Sequence, residues 1–127
     1  MAAPFRLLLV EDEAFIRELV VTLCGEKGVE VTAVADGRAA LRAARESRFD
    51  LVLLDIVLPA LDGITVCRLL KADAATRHVP VYMLSARVRE ADRDAASRAG
   101  ADGYLEKPFR AAALHALLAK HRPPAAP

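Results

Sequence analysis

Glu11 and Asp12 follow one run of branched apolar residues, Leu7-Leu8-Leu9-Val10, and Asp55 follows another, Leu51-Val52-Leu53-Leu54. Ser85 and Lys107 stand in the same relation to two further apolar stretches. Carboxylates gathered in one place repel one another unless a cation relieves the charge, and an oxygen-only donor set favours Mg²⁺ or Mn²⁺ over zinc. A carboxylate, a hard cation, an ammonium and a hydroxyl are what phosphoryl transfer requires, because its transition state calls for positioning and charge neutralisation and little other covalent work. Asp55 is the candidate nucleophile, since carboxylates form aspartyl phosphates. Glu11, Asp12 and Asp55 sum to −3 and a divalent cation with Lys107 to +3, so a dianionic phosphoryl group would enter a roughly neutral cavity.

Each residue alone has a plainer explanation. Asp at a strand end is commonly a turn former, Glu11-Asp12-Glu13 would complement a helix dipole, Ser85 would cap a helix, and Lys107 would be surface charge. Their joint placement at four strand ends is what those explanations leave over.

The elements that must position these residues follow from the pattern of the chain. Short apolar runs alternate five times with amphipathic segments, which is the βαβ signature. Strands are expected near residues 5–10, 30–34, 50–54, 80–84 and 103–106. The first helix is expected from about Glu13 to Lys27, with Ile16, Val20 and Leu23 on one stripe, Phe15 and Leu19 beside it, and Gly28 as its left-handed cap. The second starts after Asp36 and turns Ala40, Leu41 and Ala44 inward. The third follows Asp62-Gly63 through Ile64, Val66, Cys67 and Leu70 to about Asp73, and the fourth spans roughly Glu90 to Ala99, ending at Gly100. The fifth opens after Pro108-Phe109 and carries Leu114, Leu117 and Leu118. Pairs such as Arg42 with Glu46 are expected on solvated outer faces. Continuous apolar strands joined by helices make a parallel sheet covered on both faces, and its ligand crevice lies beyond the carboxyl ends of the strands. All five candidate residues fall there.

With 127 residues the chain fits one domain able to bury about two-thirds of its unfolded surface. Eighteen Lys and Arg against seventeen Asp and Glu leave a net charge of +1, with signs mixed along the chain. This is no footprint for nucleic acid or for a membrane surface. Cys24 and Cys67 fall in helical segments without metal-type spacing and are expected as reduced, buried thiols. No apolar stretch approaches the ~20 residues of a membrane span, and no signal-peptide pattern opens the chain, so a cytoplasmic protein is expected.

Leu51 to Gly63, with Asp55, Pro59 and Asp62 within it, resembles the phosphoacceptor strand and following loop of bacterial two-component response regulator receiver domains (CheY-like). Leu7 to Glu13 resembles their acidic metal-binding loop, Ser85-Ala86 their hydroxyl-small pair, and Tyr104-Leu105-Glu106-Lys107-Pro108-Phe109 their aromatic and Lys-Pro segment. The resemblance runs from Phe5 to about Arg122. It implies an α/β, flavodoxin-like (βα)₅ fold, a doubly wound five-stranded parallel sheet of order 2-1-3-4-5. Residues 1–122 would be the receiver domain and 123–127 a Pro/Ala-rich tail or linker stub.

The resemblance further implies that Asp55 accepts a phosphoryl group from a phosphohistidine on a sensor histidine kinase or histidine phosphotransfer protein. Mg²⁺ would be held by Glu11, directly or through water, by Asp12 and Asp55, and by the main-chain carbonyl of Val57. Ser85, Ala86 and Lys107 would bind the phosphoryl group, and the Lys107-Pro108 bond would be cis. Ser85 and Tyr104 would form the switch, altering the surface of the fourth helix, fifth strand and fifth helix that an output target reads. Glu11 replaces the commoner Asp, Ser85 the commoner Thr, and Val57 and Arg87 occupy positions that tune attack by water. Such a chain catalyses only its own phosphorylation and dephosphorylation. A Mg²⁺-dependent phosphatase would commonly carry an acid at the Val57 position, and a degenerate receiver would lack part of the acidic set.

Overall fold

The computed structural model describes residues 4–86 and 90–122. Five strands, β1 (Arg6–Val10), β2 (Glu30–Val34), β3 (Leu51–Asp55), β4 (Val81–Ser85) and β5 (Gly103–Glu106), alternate with five helices. These are α1 (Ala14–Gly25), α2 (Gly37–Glu46), α3 (Gly63–Ala72), α4 (Glu90–Arg98) and α5 (Ala111–His121). All strand pairs are parallel and the sheet order is β2-β1-β3-β4-β5, the expected doubly wound architecture.

The pleat sorts each strand's residues between two cores. Leu7 and Leu9 of β1 and Leu51 and Leu53 of β3 pack with Val20 of α1 and with Leu114, Leu117 and Leu118 of α5. Their neighbours Leu8, Val10, Val52 and Leu54 pack on the other face with Ala40 of α2, Val66, Cys67 and Leu70 of α3, and Ala96 of α4. Burial on both faces is why these strands read as unbroken apolar runs rather than alternating ones.

Caps set the helix starts. Asp36 accepts a hydrogen bond from the Ala39 amide at 2.8 Å and Asp62 one from the Thr65 amide at 2.9 Å, so α2 and α3 start after these residues as expected. Gly28 has φ +70° and closes the turn after α1, which ends at Gly25 rather than Lys27.

The remaining differences are local. β3 and β4 run one residue further than expected, so Asp55 and Ser85 are the last residues of their strands. Phe15, placed beside the apolar stripe of α1, is 72% exposed. The Arg42–Glu46 pair is not among the ion pairs of the described residues. Cys24 and Cys67 are free and buried, and burial pushes both thiols up to about 11. Among the described residues no helix is long and apolar enough to cross a membrane. Arg87 and the segment 123–127 lie outside the described residues.

Candidate functional site

β1, β3 and β5 are hydrogen-bonded into one sheet, and the residues at or just past their carboxyl ends meet. Asp55 ends β3 and is 7% exposed; Glu11, one residue past β1, is fully buried. The Glu11 amide donates to the Val34 carbonyl at 3.0 Å, which continues the β1–β2 ladder and holds the side chain at the strand end. Lys107 follows β5 and is fixed by its amide, which donates to the Ser85 carbonyl at 2.8 Å, while the next peptide bond, Lys107–Pro108, is cis as expected.

The Lys107 ammonium lies 2.5 Å from Glu11 Oε2 and 2.9 Å from Asp55 Oδ2. Asp55 Oδ1 accepts from the Val57 amide at 3.0 Å, so both carboxylate oxygens are oriented. Burial pushes the Glu11 carboxyl up to about 7; the hydrogen bonds to Lys107 and from the Glu13 amide oppose that shift, and the Asp55 charge adds to it. Burial alone would lower the Lys107 ammonium, but the two carboxylates outweigh it and raise it.

Glu11, Asp12 and Asp55 can bring one oxygen each within 4.8 Å of one another. An all-carboxylate set with two buried members and one exposed member fits a hard divalent cation held at the edge of solvent. A cavity of about 430 Å³ opens over it, lined by Asp12, Asp55, Val57, Ser85, Ala86 and Lys107 among others. Glu11 is not part of the lining; it lies beneath, against Lys107.

The structure therefore brings together every residue singled out for the metal and phosphoryl groups. Tyr104 lies apart, half-buried on β5 against the α2–α3–α4 core, with the Arg93 guanidinium 5.7 Å from its ring centre. Its hydroxyl is buried without a hydrogen-bond partner among the described residues, and burial with the nearby Asp92 raises its pKa. Sequence reasoning missed Asp92, which brings a further carboxylate from α4 to the cavity wall. A lone acid on a polar helix face carries no signal of where that face points.

The family model described as "Response regulator receiver domain" matches residues 7–119. Among curated proteins, the DNA-binding response regulator MtrA of Mycobacterium tuberculosis is 42% identical over 105 residues, covering 83% of this chain and 45% of its own length. The chain thus spans about half the length of such relatives. Among solved structures, the chemotaxis protein CheY4 of Vibrio cholerae superposes with a TM-score of 0.89 at 29% identity, over 94% of this chain and 100% of that one. The receiver domain of a sensor histidine kinase from Pseudomonas aeruginosa, which carries a magnesium ion in its active-site cleft, superposes with a TM-score of 0.87 at 37% identity, over 94% and 98%.

Proposed function

The chain belongs to the response regulator receiver domain family, a family of phosphoacceptor switches, and from that premise we propose that Asp55 takes a phosphoryl group from a partner's phosphohistidine with Mg²⁺ bound beside it. The receiver unit is assigned to residues 1–122. The observation that carries the reading is Lys107, held in one cavity wall between Glu11 and Asp55 and ion-paired with both.

Asp12, Asp55, the Val57 carbonyl and Glu11, directly or through water, would hold Mg²⁺, with Mn²⁺ a competent substitute. When bound, the cation supplies positive charge against the phosphoryl oxygens. The chain's own residues do the rest. An Asp55 carboxylate oxygen attacks phosphorus, the bond from phosphorus to the imidazole nitrogen breaks, and the imidazole leaves with its electron pair. The Val57 amide on Oδ1 and Lys107 on Oδ2 fix the carboxylate's plane before attack, so little reorganisation is needed. Lys107 then follows the charge onto the phosphoryl oxygens, and Ser85, at the end of the adjacent strand, donates to them together with the Ala86 amide next to it. Hydrolysis reverses the charge change: water attacks phosphorus, the bond from phosphorus to the Asp55 oxygen breaks, phosphate leaves with the water's oxygen and Asp55 returns to a carboxylate, and the chain catalyses no other turnover.

Ser85 and Tyr104 form the switch. Among the described residues no hydrogen bond anchors the Tyr104 hydroxyl, the ring being held by core packing and by the Arg93 guanidinium over it, and movement of Ser85 toward the phosphoryl group changes that packing. The α4–β5–α5 surface would report the change to an output target. DNA binding belongs to the longer relatives' names; with a net charge of +1, direct nucleic-acid binding is not proposed for this chain. The cytoplasm, where histidine kinases present their phosphohistidine, is the proposed location.

Intact-protein mass after incubation with acetyl phosphate and Mg²⁺ tests the reading. One Mg²⁺-dependent phosphoryl adduct is expected on the native chain and none on Asp55→Asn. An adduct on the variant, or none on the folded native chain at saturating donor, would overturn it.

A further inference from the structure

We propose that the groove between α2 and α3 docks an acidic amphipathic helix of a partner protein, independently of Asp55. Three adjoining depressions of about 200, 190 and 530 Å³ run along α2, and Arg45 lines all three. None of their lining residues lines the cavity over Asp55. The floor is apolar: Leu41 and Leu61 at one end, Leu70 in the middle, Phe49 and Val79 at the other. Leu69 beside it is 44% exposed.

The rim is basic. Arg38, Arg42 and Arg45 recur at helical spacing on one stripe of α2, and Arg48 continues it past the helix end. Against these four arginines the lining holds two carboxylates, Glu46 and Asp73. All four arginines are exposed, and none forms an ion pair with a described residue. The half-buried lysines of the same molecule, Lys71 and Lys107, are both paired.

Apolar floor and basic rim together select the occupant. A helix-in-groove partner places apolar side chains at i, i+3/i+4 and i+7 into the floor, and carboxylates on its flanks reach the arginines. The ten residues of α2 span about 15 Å, enough for roughly three turns of such a guest. A nucleic-acid backbone would satisfy the arginines but leave the leucines against phosphate and sugar, and a second copy of this nearly neutral chain lacks the acidic excess.

The probe is a synthetic 15-residue helical peptide with Leu at every third or fourth position and Glu between, with a counterpart carrying Lys for Glu. Titrated into the isotope-labelled chain, the Glu peptide is expected to shift amide signals of α2 and α3. Its Kd should rise at least tenfold in Arg42→Glu/Arg45→Glu and stay unchanged in Asp55→Asn. The last comparison separates failure of the groove from failure of the phosphoacceptor reading. Arg38→Gln/Arg48→Gln, milder changes at exposed positions, serve if the charge reversals disturb the fold, with a severalfold weakening expected. Equal binding of the Lys peptide, shifts centred elsewhere, or affinity indifferent to both variant pairs would overturn the proposal. So would tighter binding of a mixed-sequence DNA duplex at the same salt, or self-association of the chain through α2.

Discussion

Two lysines, Lys107 and Lys71, lie at opposite ends of the sheet and each pairs with carboxylate, yet only Lys107 belongs to the proposed phosphoryl-transfer site. At the amino ends of β4 and β5, Lys71 Nζ donates to the carbonyls of Val79 at 2.7 Å and Arg77 at 3.3 Å and to Asp102 Oδ2 at 2.9 Å. The same Asp102 oxygen accepts from the Val81 amide at 2.8 Å. One cation meets one carboxylate, and an ammonium with three donors has three acceptors. At the carboxyl ends, Lys107 meets two buried carboxylates with a third beside them. The first network is complete in itself, whereas the second keeps an excess of negative charge facing a cavity. Excess charge, rather than the presence of a lysine and acids, distinguishes a place for a cation and a phosphoryl group from a structural clasp.

The sharpest way to break this comparison is to remove each lysine in turn. Lys107→Ala is expected to slow phosphoryl uptake from acetyl phosphate by about 10²- to 10³-fold, the usual cost of losing one preorganised donor at developing charge. Lys71→Ala should leave the rate within about threefold, since no step of the proposed transfer touches that end of the sheet. Rates measured by mass spectrometry under identical Mg²⁺ decide it, and equal losses in both variants would erase the distinction.

Backbone substitutions probe how tightly each end is built. A Cβ on Gly63 would lie 2.0 Å from the Asp55 carbonyl oxygen and 2.8 Å from Ile56 Cα, backbone atoms at the end of β3 that cannot readily yield. Gly63→Ala is therefore expected to cost about 3 kcal/mol in urea unfolding. At the other end a Cβ on Gly100 would meet the flexible Lys71 side chain at 2.8 Å, with φ at +97° adding backbone strain. Gly100→Ala should cost less, about 1–2 kcal/mol. The reverse ranking would mean that the loop after Asp55 is more yielding than its packing indicates.

The burial of Glu11 at the carboxyl ends also predicts a pH dependence. Glu11 is raised in the fold to about 7 from an ordinary value of 4.5, so the folded chain binds more protons than the unfolded chain between those values. Stability in a chelating buffer should then fall as pH rises through that window, by roughly 3 kcal/mol in all. Glu11→Gln should remove this slope, and a variant that retains the native slope would mean that a group other than the buried Glu11 carboxyl titrates in this window.

The fold was readable in sequence because strands buried on both faces leave continuous apolar runs, and because Asp36 and Asp62 cap helices where they stand. The site was readable because its carboxylates end those runs. The one-residue errors at Asp55 and Ser85 have a common cause: both polar residues still pair in the sheet, Asp55 opposite Leu84 and Ser85 opposite Glu106, so a polar side chain does not mark the strand's end. The exposure of Phe15 was hidden because a residue at the margin of a helical stripe can face either way. Asp102-Gly103 is a dipeptide that favours hairpin turns, yet it leads into β5, which pairs parallel to β4. There Asp102 ties Lys71 to β4, and Gly103 leaves room for the Tyr82 ring, 2.5 Å from where a Cβ would stand. Lys71 and Asp102 are 31 residues apart, and nothing local in either segment announces the other.

That clasp gives the smallest expected effect. Lys71 is 18% exposed, but the Asp102 side chain is 43% exposed, so solvent screens the pair and its ionic part contributes little. What Lys71→Ala removes is the ammonium that satisfies the carbonyls of Val79 and Arg77, one part-buried and one exposed, of which only the first loses a partner that water does not readily replace. A loss of about 1–2 kcal/mol in urea unfolding is expected, with Lys71→Ala/Asp102→Asn showing a coupling of about 0.5 kcal/mol or less. High salt should change the Lys71→Ala penalty little, because a hydrogen bond to a neutral carbonyl is not screened as an exposed ion pair is. A penalty that vanishes in salt would mean that the ion pair, and not the carbonyl contact, holds the amino ends of β4 and β5 together, and the contrast between a complete clasp and an unbalanced site would then rest on charge alone.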